Sequence, residues 1–252
     1  DFPANKKYAI PLSITGASNY SLIPSQRSAI LLLNRSILSS VAKVSGGEGI
    51  RIKPVGMHTK AEWTIQMSAI YSSLTRSNLT TAYLSNGTGG EFYTRISSTA
   101  GIQVKNGRDG DDTWTQIPLQ AGKWLHITYV HKDKKTTVYV NGKVQKVFEN
   151  SAITFGENSM IVVGNSGYRN DYLREIRLWD KALTESEIND YLYLPMDPAT
   201  PHLISYLPLS KEMETKDLKA PAGTENVTTK ARIEYVENVK FPADELVIVN
   251  QE

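Results

Sequence analysis

The chain has 252 residues, with 28 lysines and arginines against 26 aspartates and glutamates and a formal charge of +2 at pH 7. Such a balanced, scattered charge leaves no electrostatic footprint for nucleic acid or for an anionic membrane surface. The absence of cysteine excludes disulfides, thiolate chemistry and cysteine-ligated metal centres.

Two strand-like runs open the chain, from Ala9 to Ile14 and from Ala29 to Leu33. Two strands cannot build an independent core. The pair is either the remnant of a preceding domain or an edge addition to the next one. We interpret residues 1–34 as the C-terminal remnant of a preceding β-sandwich module, and residues 35–252 as the main domain. The longest apolar run, residues 29–33, is far shorter than the roughly 20 residues that span a bilayer, so no transmembrane segment is predicted.

Regular strand signals follow for most of the chain. In residues 62–70 every second residue is apolar, which is the period of a half-buried strand. Asn141 and Gly142 separate two β-rich runs and accept the positive φ angles of a type I′ turn, which predicts a hairpin. Trp63, Trp124 and Trp179 lie in strand patterns, and we expect them in the core. Further predicted strands are Gly49 to Lys53, Glu91 to Ile96, Ile102 to Lys105, Met160 to Val163 and Leu173 to Trp179.

Alternation also sets the direction of side chains in the last of these strands. Residues two apart on a strand point to the same face. We expect Ile176 and Leu178 to face the core, and Glu175 and Arg177 to face the other side as a structural ion pair.

One helix stands out, in the run LTESEINDYL. Thr184 is placed to cap it, Glu187 completes a capping box, and Leu183 is placed to pack onto Ile188. After it come a proline-containing linker, a polar loop over residues 211–226 and two late strands. Many strands and one helix predict an all-β, two-sheet antiparallel jelly-roll sandwich.

Three motifs occur in a characteristic order. They are the strand EWTIQMSAI, the Trp-x-His pattern of Trp124 and His126 before the Asn-Gly hairpin, and EIRLWDKALTESEI at residues 175–188. Together they resemble the laminin-G-like, concanavalin A-like lectin/glucanase domains of secreted gut-bacterial proteins. The resemblance implies that the main domain, residues 35–252, is a laminin-G-like jelly roll. The first 34 residues resemble the tail of a small β-sandwich module that precedes such domains. The resemblance implies an extracytoplasmic setting in glycan utilisation, at the cell surface or in the periplasm, with any lipid anchor outside this chain.

Hydrolases on this fold carry the strand motif Glu-x-Asp-x-x-Glu, and retaining chemistry needs two carboxyl groups about 5 Å apart. The motif is absent here. Glu175 and Asp180, the nearest candidates, are five residues apart and point to opposite faces of a strand. We therefore predict no catalytic residues and a protein that is not an enzyme.

An acidic glycine-rich loop offers a candidate metal site. Asp109, Asp111 and Asp112 cluster there, and carboxylate oxygens are the ligands that calcium prefers. The alternative is an ordinary solvated hairpin.

A second loop, together with Trp114 beside the acidic one, offers candidate sugar contacts. Aromatic faces stack on sugar C–H surfaces, and polar side chains bind the hydroxyls. The candidate ligand-binding residues are Trp114, Tyr168, Arg169, Asn170 and Asp171; in the alternative, residues 168–171 are ordinary loop. We predict a non-catalytic carbohydrate-binding module with a polysaccharide or glycan partner. The rivals are a protein-binding adhesion or scaffold module, and a glycoside hydrolase with carboxylates from separate strands.

Overall fold

The computed structural model describes the backbone of residues 7–13, 28–34, 36–47, 49–55, 60–74, 78–83, 92–106, 113–149, 153–156, 158–164 and 168–250. Nearly all regular structure there is β, with one short helix, α1 (Glu185–Asp190). The strands are β1 (Lys7–Ser13), β2 (Ser28–Asn34), β3 (Ile37–Gly46), β4 (Ile50–Ile52), β5 (Trp63–Ile70), β6 (Asn78–Tyr83), β7 (Phe92–Ser97), β8 (Gly101–Asn106), β9 (Thr113–Trp114), β10 (Trp124–Lys132), β11 (Lys135–Val140), β12 (Lys143–Glu149), β13 (Met160–Val163), β14 (Tyr168–Trp179), β15 (Leu203–Leu207), β16 (Val227–Thr229) and β17 (Arg232–Phe241).

Two antiparallel sheets form the sandwich. The large sheet has the order β12-β11-β10-β5-β14-β3-β17, with β15 paired to the far end of β14. The small sheet has the order β16-β4-β13-β6-β7-β8-β9. The predicted all-β, concanavalin A-like sandwich is confirmed.

The main core lies between the sheets. Trp63 of the large sheet meets Phe92 of the small sheet edge to face, with ring centroids 5.1 Å apart. The Tyr129 hydroxyl crosses the same core and donates to Thr94 Oγ1 at 3.0 Å. Ile176 and Leu178 also belong to this core, as the strand alternation predicts.

The turn and helix signals are confirmed in detail. Asn141 and Gly142 have φ angles of 51° and 76° and join β11 to β12. Thr184 caps α1, and its hydroxyl accepts from the Glu187 N–H while the Glu187 carboxylate accepts from the Thr184 N–H.

The outer face of the large sheet differs from expectation. The alternation in β5 predicts a half-buried strand, but Thr64, Gln66 and Ser68 on its polar face are buried. This prediction is wrong because later parts of the chain cover that face. One apolar cluster there joins Trp179 to Ile188 of α1, and a second joins Trp124 to Phe241 at the end of β17.

The first two strands pair only with each other in the described part of the chain, in register from Lys7↔Asn34 to Ser13↔Ser28. The predicted strand pair is confirmed. Its assignment to a preceding module, with a boundary at residue 34, stays a prediction.

Candidate functional site

The predicted sugar-binding loop enters β14. Tyr168 and Arg169 lie in the first part of the strand and pair with Gly46 and Ser45 of β3, while their side chains lie outside the described residues. Asn170 is a bulge residue with a φ of 61°, and its side chain is exposed. Asparagine tolerates this left-handed backbone, and a bulge turns its side chain out of the regular pleat.

Asp171 has a different environment from its neighbour. It is buried, and its Oδ1 atom accepts from the Ser72 N–H at 2.8 Å and from the Ser72 hydroxyl at 3.0 Å. These bonds tie β14 to the segment that follows β5. Asp171 is one of the four loop residues predicted to bind sugar. Its carboxylate instead accepts hydrogen bonds within the protein and stabilises the start of β14.

Trp114 lies in β9, the edge strand of the small sheet, opposite Gln103 of β8. Its carbonyl oxygen accepts from Lys146 Nζ at 2.8 Å, and Lys146 belongs to β12, the edge strand of the large sheet. The side chain of Trp114 is half-buried at this lateral edge.

Trp114 and Tyr168 lie in different sheets. Through the pairing of β13, β6, β7, β8 and β9, Thr113 lies in one row with Val163, so Trp114 is level with the end of β13 that leads toward β14. Laterally, β14 lies four strands from β12, which is about 19 Å at the usual strand spacing. Trp114, whose carbonyl contacts Lys146 of β12, is therefore separated from Tyr168 mainly by the width of the large sheet. The predicted calcium ligands Asp109, Asp111 and Asp112 lie outside the described residues.

The carboxylate of Glu175 is enclosed on the outer face of the large sheet. Arg177 Nη2 donates to its Oε2 atom at 2.5 Å, and the Tyr206 hydroxyl donates to both oxygens at 3.1 and 3.2 Å. The guanidinium also donates to the carbonyls of Tyr191 and Leu194, at 3.0 and 2.6 Å. The predicted structural pairing of Glu175 with Arg177 is confirmed, and it anchors the segment after α1 to the sheet.

A surface cleft that the sequence patterns did not indicate lies beside β16. It has a volume of about 490 Å³ and is bounded by residues 212–217 and 224–227. The sequence pattern predicts only a polar loop there, and the charged residues of that loop are the signal that could have indicated the cleft.

Asp217 organises the floor of this cleft. It is buried and accepts from the Ser205 hydroxyl at 2.7 Å, from the Tyr206 N–H at 2.9 Å and from Asn226 Nδ2 at 2.8 Å. These bonds fix both walls of the cleft to β15. By contrast, the side chains of Glu212, Met213, Glu214, Lys216 and Glu225 along its rim are exposed.

The pKa of Glu212 is lowered, first by a hydrogen bond from its own backbone N–H and then by one from the Ser210 hydroxyl. Its carboxyl group is therefore charged at neutral pH and acts as an acceptor.

The amino-acid sequence that forms these strands matches a known family. The model of the concanavalin A-like lectin/glucanases superfamily matches residues 45–189, more than half of the chain. The chain belongs to this superfamily. The cleft lies C-terminal to the part of the chain that matches the superfamily model. Comparison with curated proteins gives no match.

Solved structures of the superfamily fold resemble this chain. A candidate carbohydrate-binding protein from Bacteroides ovatus superposes with a TM-score of 0.61 at 18% identity, over 94% of this chain and 70% of its own. A heptameric SAP-like pentraxin from Limulus polyphemus gives 0.51 at 13% identity, over 79% and 94%. At these identities the likeness concerns the fold alone. No helix in the described residues is long and apolar enough to cross a membrane.

Proposed function

We propose that this member of the superfamily is a non-catalytic module that binds a neutral glycan outside the cytoplasm. The observation that carries the proposal is the cleft beside β16, with its volume of about 490 Å³. Small-ligand sites typically have volumes of about 300–1,000 Å³. The Bacteroides ovatus protein, which shares the fold, supports the same ligand class.

The charge of the cleft favours a neutral sugar over an acidic one. Its lining contains the acidic residues Glu212, Glu214, Asp217 and Glu225, against a single basic residue, Lys216. Carboxylates accept hydrogen bonds from sugar hydroxyls, whereas they repel uronate or sialate groups. The exposed side chain of Met213 offers an apolar contact for a sugar ring.

Two features support binding without turnover. The carboxylate of Glu175 accepts hydrogen bonds from Arg177 and Tyr206, so it is not accessible to a substrate. In the cleft, the lowered pKa of Glu212 suits an acceptor, whereas the general acid of a glycosidase needs a raised pKa.

A glycan array, probed with and without calcium, tests the proposal. We expect neutral oligosaccharides among the hits, with affinities in the micromolar to millimolar range that corresponds to about 4–8 kcal/mol. Titration calorimetry on the best hit then compares Glu225→Ala with Glu149→Ala, a matched exposed glutamate on β12. Loss of an acceptor for sugar hydroxyls should weaken binding by about tenfold in Glu225→Ala only.

Three outcomes would contradict the proposal. Release of reducing sugar from the best hit would indicate a glycoside hydrolase. An array without hits would favour the adhesion or scaffold module. Equal glycan affinities for the two variants would show that the glycan does not bind in the cleft.

A further inference from the structure

The outer face of the large sheet holds a group of buried nitrogen atoms that lack hydrogen-bond partners. Among the described residues, five buried side-chain polar atoms have no partner, and four of them belong to Arg174, Trp124 and His126. The atoms are Arg174 Nε, Arg174 Nη1, Trp124 Nε1 and His126 Nε2. The three side chains are only 1%, 2% and 4% exposed, so bulk water does not hydrate them.

These residues lie together. His126 and Arg174 are paired with Ser68 from its two sides, so both flank the same residue of β5, and Trp124 precedes His126 by one pleat of β10. Phe241 joins the group from the opposite side. Its ring centroid is 3.9 Å from the guanidinium carbon of Arg174 and 5.1 Å from the Trp124 ring centroid.

The charge of this region is poorly balanced among the described residues. Glu175 is the carboxylate in contact with both guanidinium groups, and Arg177 holds it at 2.5 Å. Within the described part of the chain, Arg174 has one ion pair, a long one from Nη2 to Glu175 Oε1 at 3.5 Å. The ring of Phe241 attracts the cation through its face, but it offers no acceptor to N–H groups that lie in the guanidinium plane.

A buried cation with two nitrogen atoms that lack acceptors is unfavourable. A bound anion removes that penalty, and the unpartnered atoms are of the kind that such a ligand needs. Arginine and tryptophan nitrogens are donors only. The Ser68 hydroxyl lies 2.6 Å from His126 Nδ1, and when it donates to that atom, Nε2 carries the proton and becomes a further donor.

We propose that Arg174, Trp124 and His126 form a closed binding site for one small monovalent anion. The donor atoms are buried, which favours a halide over a phosphate or a sugar carboxylate. Burial, and then the charges of Arg174 and Arg177, lower the pKa of His126 to about 3, so the imidazole is neutral and contributes an N–H rather than a second cation. The site is separate from the cleft, and it does not depend on glycan binding.

Chloride is the probe for this site. Thermal unfolding is measured in sodium chloride and in sodium gluconate at equal ionic strength, after exchange into gluconate. We expect a saturable rise of the midpoint with chloride, because the anion binds the folded state alone. Trp124→Phe keeps the ring and removes one donor, and it should weaken the apparent chloride affinity by about tenfold.

Two more variants and one direct measurement complete the test. Arg174→Met should abolish the chloride dependence, whereas Arg232→Met, which removes an exposed arginine, should keep it. A crystal grown in bromide should show an anomalous peak beside the Arg174 guanidinium. Identical midpoints in the two salts together with no bromide peak would overturn the proposal, and so would a Trp124→Phe variant with unchanged chloride affinity.

Discussion

His131 shows how a single imidazole links the large sheet to a distant segment. The Ile153 N–H donates to its Nε2 atom at 3.2 Å, so the proton of the neutral ring is on Nδ1, which lies 3.0 Å from Thr136 Oγ1. Trp63 stacks on this ring and donates its own Nε1–H to the Ile153 carbonyl at 2.9 Å. Protonation of Nε2 would break the bond from Ile153.

Stability should therefore depend on the protonation of His131. Burial lowers its pKa from 6.5 to about 4, so the unfolded chain takes up a proton in this range while the folded chain does not. Stability is then lost as the pH falls from 6.5 toward about 4. His131→Gln should reduce the slope of this part of the profile, measured as urea midpoint against pH, while His126, whose pKa is lowered to about 3, maintains the remainder. Parallel profiles for the two proteins would contradict the assignment.

At the scale of elements, α1 is joined to the hairpin between β11 and β12. Asn189 of the helix donates from Nδ2 to the Gly142 carbonyl at 3.2 Å. The Asn141 side chain in turn accepts from the His126 N–H at 2.8 Å. The helix has only six residues, so its stability depends on such contacts and on its cap.

Removal of the cap gives a direct test of the element. Thr184→Ala deletes the hydroxyl that accepts from the Glu187 N–H, and it should lower the free energy of unfolding by about 1 kcal/mol. Ser186→Ala is the matched control, since Ser186 is an exposed residue within the same helix. Equal denaturation midpoints for the two variants would show that the cap contributes nothing.

At the scale of the whole molecule, the cleft and Trp114 are far apart. The cleft lies at the β16 edge of the small sheet, and Trp114 lies at the β9 edge, six strands away, or about 29 Å. Tyr168 begins β14 in the large sheet. A long polysaccharide could reach both the cleft and Trp114, whereas a short oligosaccharide could not.

Alanine variants should separate these regions by calorimetry. With a short neutral oligosaccharide, we expect Met213→Ala to weaken binding, and Trp114→Ala and Tyr168→Ala to leave it unchanged. With the parent polysaccharide, each of the three should weaken binding by about 1 kcal/mol, because each removes one contact surface for a sugar ring. Unchanged polysaccharide affinity in both Trp114→Ala and Tyr168→Ala would exclude the predicted rim from the site.

Local signals in the sequence determined the elements and much of the fold. The Asn141-Gly142 turn, the capping box of Thr184 and the core positions of Ile176 and Leu178 all follow from residues a few positions apart, so the chain next to each residue specifies them. The ordered motifs, from Trp63 to Ile188, were also enough to indicate the superfamily, because its strands are specified by short patterns.

Tertiary structure alone decided the features that depend on distant segments. Gln66 and Ser68 alternate like solvent-facing residues, yet both are buried, and Gln66 accepts a hydrogen bond from Trp179, 113 residues later. Two nitrogen atoms of Arg174 are buried without hydrogen-bond partners because β10, β5 and β17 meet around its side chain. The cleft beside β16 likewise exists because Asp217 is held by β15 and Asn226. Burial and charge balance are sums over spatial neighbours, and local periodicity contains no information about which later segments supply them.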